Sequence, residues 1–188
     1  MSLRAPDPGT RQIRALPPEL AGLHRELGVP AGYVLDRQLE VQSEAPESVL
    51  VEVGQNPAGR PVLLLQPVAE SWHRLKLAAA TDGTTLVPIS GFRSVHRQAE
   101  IFRDKLKRGQ TPAEILRVTA VPGFSEHHTG RAIDIGTPGY LALEEDFGST
   151  EAFRWLERNA AAFGFRLSYP RDNPHGIAYE PWHWCWHQ

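Results

Sequence analysis

The sequence predicts an α+β domain: a mostly antiparallel sheet with helices packed to one side. Three observations carry this expectation. Helical and strand-like patterns do not alternate along the chain as βαβ units would require, and a hairpin signal lies near residue 55. The 188 residues, 41% apolar and 22% charged, have the composition of an ordinary globular protein with one sizeable core.

Residues 1–18 are rich in Pro and Arg and read as an extended arm; residues 19–29 read as a short helix. We therefore divide the chain into an N-terminal arm and helix (1–45) and a main domain (46–188). Val49–Val53 and Val62–Leu65 read as strands, and the Gly54–Arg60 segment between them carries turn residues. Pro67 opens a helix to about Thr81. Val68, Trp72, Leu75 and Ala79 share its buried face, and Gly83 follows as a stop. Leu86–Ser90 reads as a strand in which Pro88 calls for an edge or irregular position.

Ser94 is a candidate N-cap for a helix to about Lys107, ended by Gly109. Thr111-Pro112-Ala113-Glu114 is a capping box that starts another. Ala132–Ile135 reads as a short buried strand, with Asp134 on the face opposite Ile133 and Ile135. A helix over roughly 150–163 is stopped by Gly164, and Glu180–Trp186 reads as the final strand.

Two stretches carry the chemistry: Ser125-Glu126-His127-His128-Thr129-Gly130-Arg131-Ala132-Ile133-Asp134 and Glu180-Pro181-Trp182-His183. They offer two imidazoles and one carboxylate as metal ligands, with a second carboxylate beside them as a base. That is the donor set of a catalytic zinc site with its fourth position left to water. Glu180 and His183, three apart, would point to opposite faces of a regular strand. Both serve one site only if the backbone turns between them, and Pro181 agrees with such a turn. Arg93 falls at a predicted helix N-terminus, where partial positive charge and free N–H groups suit an anion.

Ser125-x-His127-x-x-Gly130-x-Ala132-x-Asp134 followed by Glu180-x-x-His183 resembles the zinc motif of the LAS metallopeptidases. That superfamily contains D-alanyl-D-alanine carboxypeptidases of the vancomycin-resistance type and their L,D-carboxypeptidase relatives. Ser90-Gly91-Phe92-Arg93-Ser94, with Gln98 five residues after the Arg, resembles their substrate-binding segment. The resemblance covers roughly residues 68–186 and implies a Hedgehog/D,D-peptidase-like zinc fold. It implies one catalytic zinc on His127, Asp134 and His183, with Glu180 as general base and acid. Arg93 would stabilise the oxyanion, and Ser125 and Gln98 would bind the end of the substrate peptide. The implied reaction is Glu-assisted attack of zinc-bound water that removes C-terminal D-alanine from peptidoglycan stem peptides or precursors, with D,D- or L,D-specificity open. A peptidoglycan endopeptidase and a non-catalytic zinc-containing binding module are the alternatives.

The spacing to Gly130 and Asp134 favours His127 over His128 as ligand. His175 could reach substrate or be a polar loop residue. Cys185, two residues after His183, could close the site as a fourth ligand or be a small buried hydrophobe. As the only cysteine, it excludes an intramolecular disulfide.

A net charge of −2 gives no sign of nucleic-acid binding, and no apolar run approaches a membrane span. Met1–Pro8 carries no apolar signal core, so the chain as written is expected in the cytoplasm. It is expected in the cell envelope if Met1-Ser2-Leu3 replaces a removed leader. Nothing in the sequence specifies an oligomeric state.

Overall fold

A computed structural model describes residues 16–187, so the arm expected over 1–18 lies almost wholly outside the described residues. Helices α1 (Pro18–Glu26) and α2 (Tyr33–Asp36) come first, then the hairpin β1 (Leu50–Gln55) and β2 (Pro61–Leu65). The long α3 (Gln66–Thr81) leads to β3 (Val87–Ser90), α4 (Val95–Lys107) and α5 (Pro112–Val118). The chain closes with β4 (Ala132–Gly136), α6 (Glu151–Asn159), β5 (Phe165–Leu167) and β6 (His183–Trp186). No helix among the described residues is long and apolar enough to cross a membrane.

All strand pairs are antiparallel: β1 with β2, and a four-stranded sheet in the order β3-β4-β6-β5. The hairpin closes on Asn56, whose Oδ1 accepts from the amides of Ala58 and Arg60, both at 3.0 Å. Pro88 sits on the edge strand β3, and the register shifts between it and Ser90, as a residue without an N–H demands. The all-buried β4 lies inside the sheet and sends Ile133 and Ile135 into the main core with Trp72, Leu75, Phe153 and Trp184.

Side-chain caps from Ser94, Thr111 and Thr150 start α4, α5 and α6. Ser94 Oγ accepts from the Arg97 amide at 3.0 Å, and the Thr111–Glu114 capping box is complete. A second apolar cluster joins Phe102 of α4, Ile115 and Leu116 of α5, and Phe124; Leu23, Leu27 and Tyr33 from the N-terminal segment pack on it. The segment that carries the first chemical motif runs from Phe124 in this cluster to Ile133 in the other.

Two expectations change. The last strand begins at His183, not Glu180. Pro181 and Trp182 form a turn in which the His183 amide donates to Glu180 O at 3.1 Å, with Pro at the position that favours its fixed φ. The helix expected to run to 163 leaves α geometry after Asn159 and continues as a 3-10 turn to Phe163, before Gly164 at φ +84°. Strand β5 and helix α2 are too short to leave a periodic pattern.

Candidate metal centre

Three elements meet at one point. His127 lies in a 3-10 turn (Glu126–Thr129), Asp134 in the middle of β4, and His183 opens β6. Asp134 and His183 are register partners across β4 and β6, a pairing that holds side chains about 5 Å apart at Cβ. Their donor atoms, with one from His127, all lie within 4.8 Å of one another, and all three residues are buried.

The ring orientations are specific. His127 Nδ1 bonds to Gly91 O at 2.7 Å, which leaves Nε2 facing Asp134 Oδ2 at 3.2 Å. His183 presents Nδ1 to Asp134 Oδ1 at 3.0 Å. On its far side, His183 Nε2 meets Glu126 Oε2 at 2.8 Å, and Ser168 Oγ donates to that same oxygen at 2.6 Å. The Tyr169 ring lies against the His183 ring, centroids 4.9 Å apart and tilted 31°. Spacing in the sequence singles out none of Glu126, Ser168 and Tyr169; the partnership of Glu126 depends on a residue 42 positions away.

Glycine makes this packing possible at two places. A Cβ on Gly91 would fall inside contact distance of the Leu63 carbonyl oxygen, where the Phe92 amide already bonds. Gly130 holds φ +67° with Leu50 and Leu65 against it. Gly91→Ala is therefore expected to cost about 1–3 kcal/mol. Thermal unfolding should show a fall of roughly 2–12 °C.

The charges are set by burial and contact. Burial pushes the Glu180 carboxyl up to about 7, while His183 and Arg93 pull against it. Burial lowers His127 to about 4 despite the nearby Asp134 charge. Burial would also lower His183, but hydrogen bonds to Asp134 and Glu126 overcome this and raise it to about 10. Burial likewise opposes ionisation of Asp134 and Glu126, yet the two imidazoles hold Asp134 far below the carboxylate range, and His183 with Ser168 brings Glu126 to about 2.

A cation held at His183 Nδ1 must displace the proton that this nitrogen shares with Asp134. His127, already neutral at pH 7, has none to give. Metal affinity should therefore rise with pH up to about 10, the pKa of His183. Calorimetry at pH 8 in buffers of different ionisation enthalpy should report release of about one proton per metal bound. Uptake without proton release would contradict this arrangement.

Arg93 bonds through Nη1 to Gln98 Oε1 at 2.8 Å, and its Nη2 lies 3.8 Å from Asp134 Oδ2. Gln98 is buried and donates from Nε2 to Ala120 O at 2.6 Å, so both ends of its amide are engaged within the protein. Ser125 is buried at the head of the 3-10 turn. One cavity of about 780 Å³ is lined by Arg93, Gln98, Ser125, Glu180 and the three metal-type residues. Arg60, Arg97 and Lys105 add positive charge to its wall, and Trp182 and Tyr169 add apolar surface.

The remaining candidates fall elsewhere. His128 is a strut: its Nδ1 meets Arg93 O at 2.6 Å and its Nε2 accepts from the Gly123 amide at 3.0 Å. His175 bonds through Nδ1 to Arg37 O at 3.1 Å and does not line the cavity. Cys185 is buried beside Ala132 in the sheet, outside the three-residue cluster.

Residues 62–188 match the family model described as VanY, D-alanyl-D-alanine carboxypeptidase. The chain is 36% identical over 117 residues to the D-alanyl-D-alanine carboxypeptidase of Enterococcus faecalis (strain ATCC 700802 / V583), covering 57% of this chain and 42% of that protein. It thus spans less than half the length of that curated relative. Among solved structures, the LdcB LD-carboxypeptidase, described for its peptidoglycan recognition, is similar with a TM-score of 0.68 and 30% identity over 79% of this chain and 74% of that one. The vancomycin-resistance D,D-pentapeptidase VanY of a VanB-type cassette, solved in complex with Zn(II), gives a TM-score of 0.58 and 30% identity over 79% of this chain and 85% of that one.

Proposed function

Since the chain belongs to the D-alanyl-D-alanine carboxypeptidase family of VanY, we propose that it is a zinc carboxypeptidase that removes C-terminal D-alanine from peptidoglycan stem peptides or their precursors. The observation that carries this reading is the shared cavity, whose wall joins the His127–Asp134–His183 cluster to Glu180 and Arg93. A structural metal would need neither of the last two.

The donor set fits zinc. Tetrahedral coordination by nitrogen and oxygen at about 2.1 Å calls for donors roughly 3.4 Å apart. Here His127 Nε2 lies 3.2 Å from Asp134 Oδ2 and His183 Nδ1 lies 3.0 Å from the other oxygen, Oδ1, and one donor atom from each of the three residues falls within 4.8 Å of the others. Bound by these three residues, a zinc ion supplies a Lewis acid that polarises the scissile carbonyl and makes water acidic near neutral pH.

The chain's own residues do the rest. Glu180, whose carboxyl is raised to about 7 by burial, takes the proton from the attacking water and returns it to the leaving amine nitrogen. Arg93, held by Gln98, faces the carbonyl oxygen as negative charge develops there. Arg60, Arg97 and Lys105 favour a peptide with a free carboxylate. Ser125, buried at the head of the motif, borders the same space. Trp182 and Tyr169 exclude water from one side.

The test is mass spectrometry of products after zinc-loaded protein meets tetrapeptide and pentapeptide wall fragments. Loss of one alanine from the pentapeptide identifies D,D-activity; loss from the tetrapeptide identifies L,D-activity. Internal cuts would make the protein an endopeptidase. No zinc-dependent product would favour a binding module.

A further inference from the structure

Glu126 has no part in the mechanism above, yet it contacts a proposed zinc ligand. Its carboxylate is 23% exposed, and its Oε2 accepts from both His183 Nε2 and Ser168 Oγ. Ser168 is itself placed by the sheet. It follows β5, whose Arg166 and Leu167 pair with Cys185 and Trp184 of β6, and its amide reaches His183 O at 3.4 Å. The acceptor behind His183 is therefore fixed by the strand beside the one that carries His183.

An imidazole can offer either ring nitrogen to a metal, and the two choices place the ion differently. Which one binds is decided by the acceptor that holds the proton on the other. His127 has this problem solved by Gly91 O. For His183 the equivalent acceptor is Glu126, on the ring edge opposite Asp134. The Tyr169 ring against its face restrains rotation. Glu126 does not belong to the donor cluster, and an oxygen already accepting two hydrogen bonds is a poor base for chemistry in the cavity.

We propose that Glu126, supported by Ser168, is a positioning residue that keeps the His183 proton on Nε2 and presents Nδ1 to the zinc. The proposal rests on the zinc site described above, and the experiment separates the two. Zinc dissociation constants are measured by chelator competition for the wild type and for Glu126→Ala, Glu126→Gln, Ser168→Ala and His183→Ala. Long-range ¹H–¹⁵N spectra of the zinc-loaded wild type report which nitrogen of His183 carries the proton.

The expected spectrum has a protonated Nε2 and a metal-shifted Nδ1 for His183. Glu126→Ala is expected to weaken zinc binding by about 10–100-fold, the usual effect of losing a carboxylate behind a ligating histidine. Glu126→Gln, whose amide oxygen still accepts the N–H, should lose less, and Ser168→Ala less than Glu126→Ala. A Glu126→Ala affinity within about twofold of wild type, or a His183 bound through Nε2, overturns the proposal while leaving the site intact. Equal zinc binding by wild type and His183→Ala overturns the site itself and the proposal with it. The spectrum of the wild type needs no variant, so a Glu126→Ala protein that does not fold leaves the question decidable.

Discussion

Glu180→Ala is expected to lose turnover by about 10²–10⁴-fold, the range for removing a positioned general base and acid, while it still binds zinc with wild-type affinity. The two effects separate because Glu180 lies in the cavity wall but outside the donor cluster. Its carboxyl, held near 7 by burial, is poised to accept a proton and give it back at neutral pH. An aqueous carboxylate near 4.3 would hold the proton too weakly to do so. Product formation measured beside zinc stoichiometry checks the prediction. Retention of more than a few per cent of the wild-type rate would remove Glu180 from the proton-transfer role.

Asp134→Ala should abolish zinc binding, a loss greater than the roughly 10–100-fold expected for a supporting group. Asp134 is 2% exposed and bridges the whole centre: it contacts His127, His183 and Arg93 at 3.2, 3.0 and 3.8 Å. Without it, His183 keeps only Glu126 as an anionic partner, and Arg93 loses the carboxylate 3.8 Å away. Leaving buried charge uncompensated typically costs about 3–5 kcal/mol. Metal-free Asp134→Ala should therefore melt some 6–20 °C below metal-free wild type. Chelator competition and thermal unfolding measure the two effects, and a variant that binds zinc normally would displace Asp134 from the centre.

The parts of this protein governed by local chemistry were legible in the chain. The Ser94 N-cap, the Thr111 capping box and the Gly109 and Gly164 stops act within a few residues, so helix starts could be read directly. His127 was separable from His128 because the motif fixes its distance to Gly130 and Asp134. The need for a turn between Glu180 and His183 follows from strand geometry alone, whereas the strand start at His183, three residues after Glu180, does not. Long-range partners were not legible. The bond from Glu126 to Ser168 depends on β5, which has only three residues and no alternating pattern. That both ends of the Gln98 amide are taken by Arg93 and Ala120 depends on how α4 packs against the segment after α5.

The pairing of Asp134 with His183 also bears on folding fidelity. Side chains on a strand alternate faces, so a one-residue slip of β4 against β6 would carry Asp134 to the opposite surface from His183. Such a chain could keep its helices, much of its apolar contact and an ordinary circular dichroism spectrum. It could not gather three donors at one point. Stoichiometric metal uptake is thus a census of molecules whose central sheet is correctly aligned, and it would detect shifted conformers that bulk secondary-structure signals count as native.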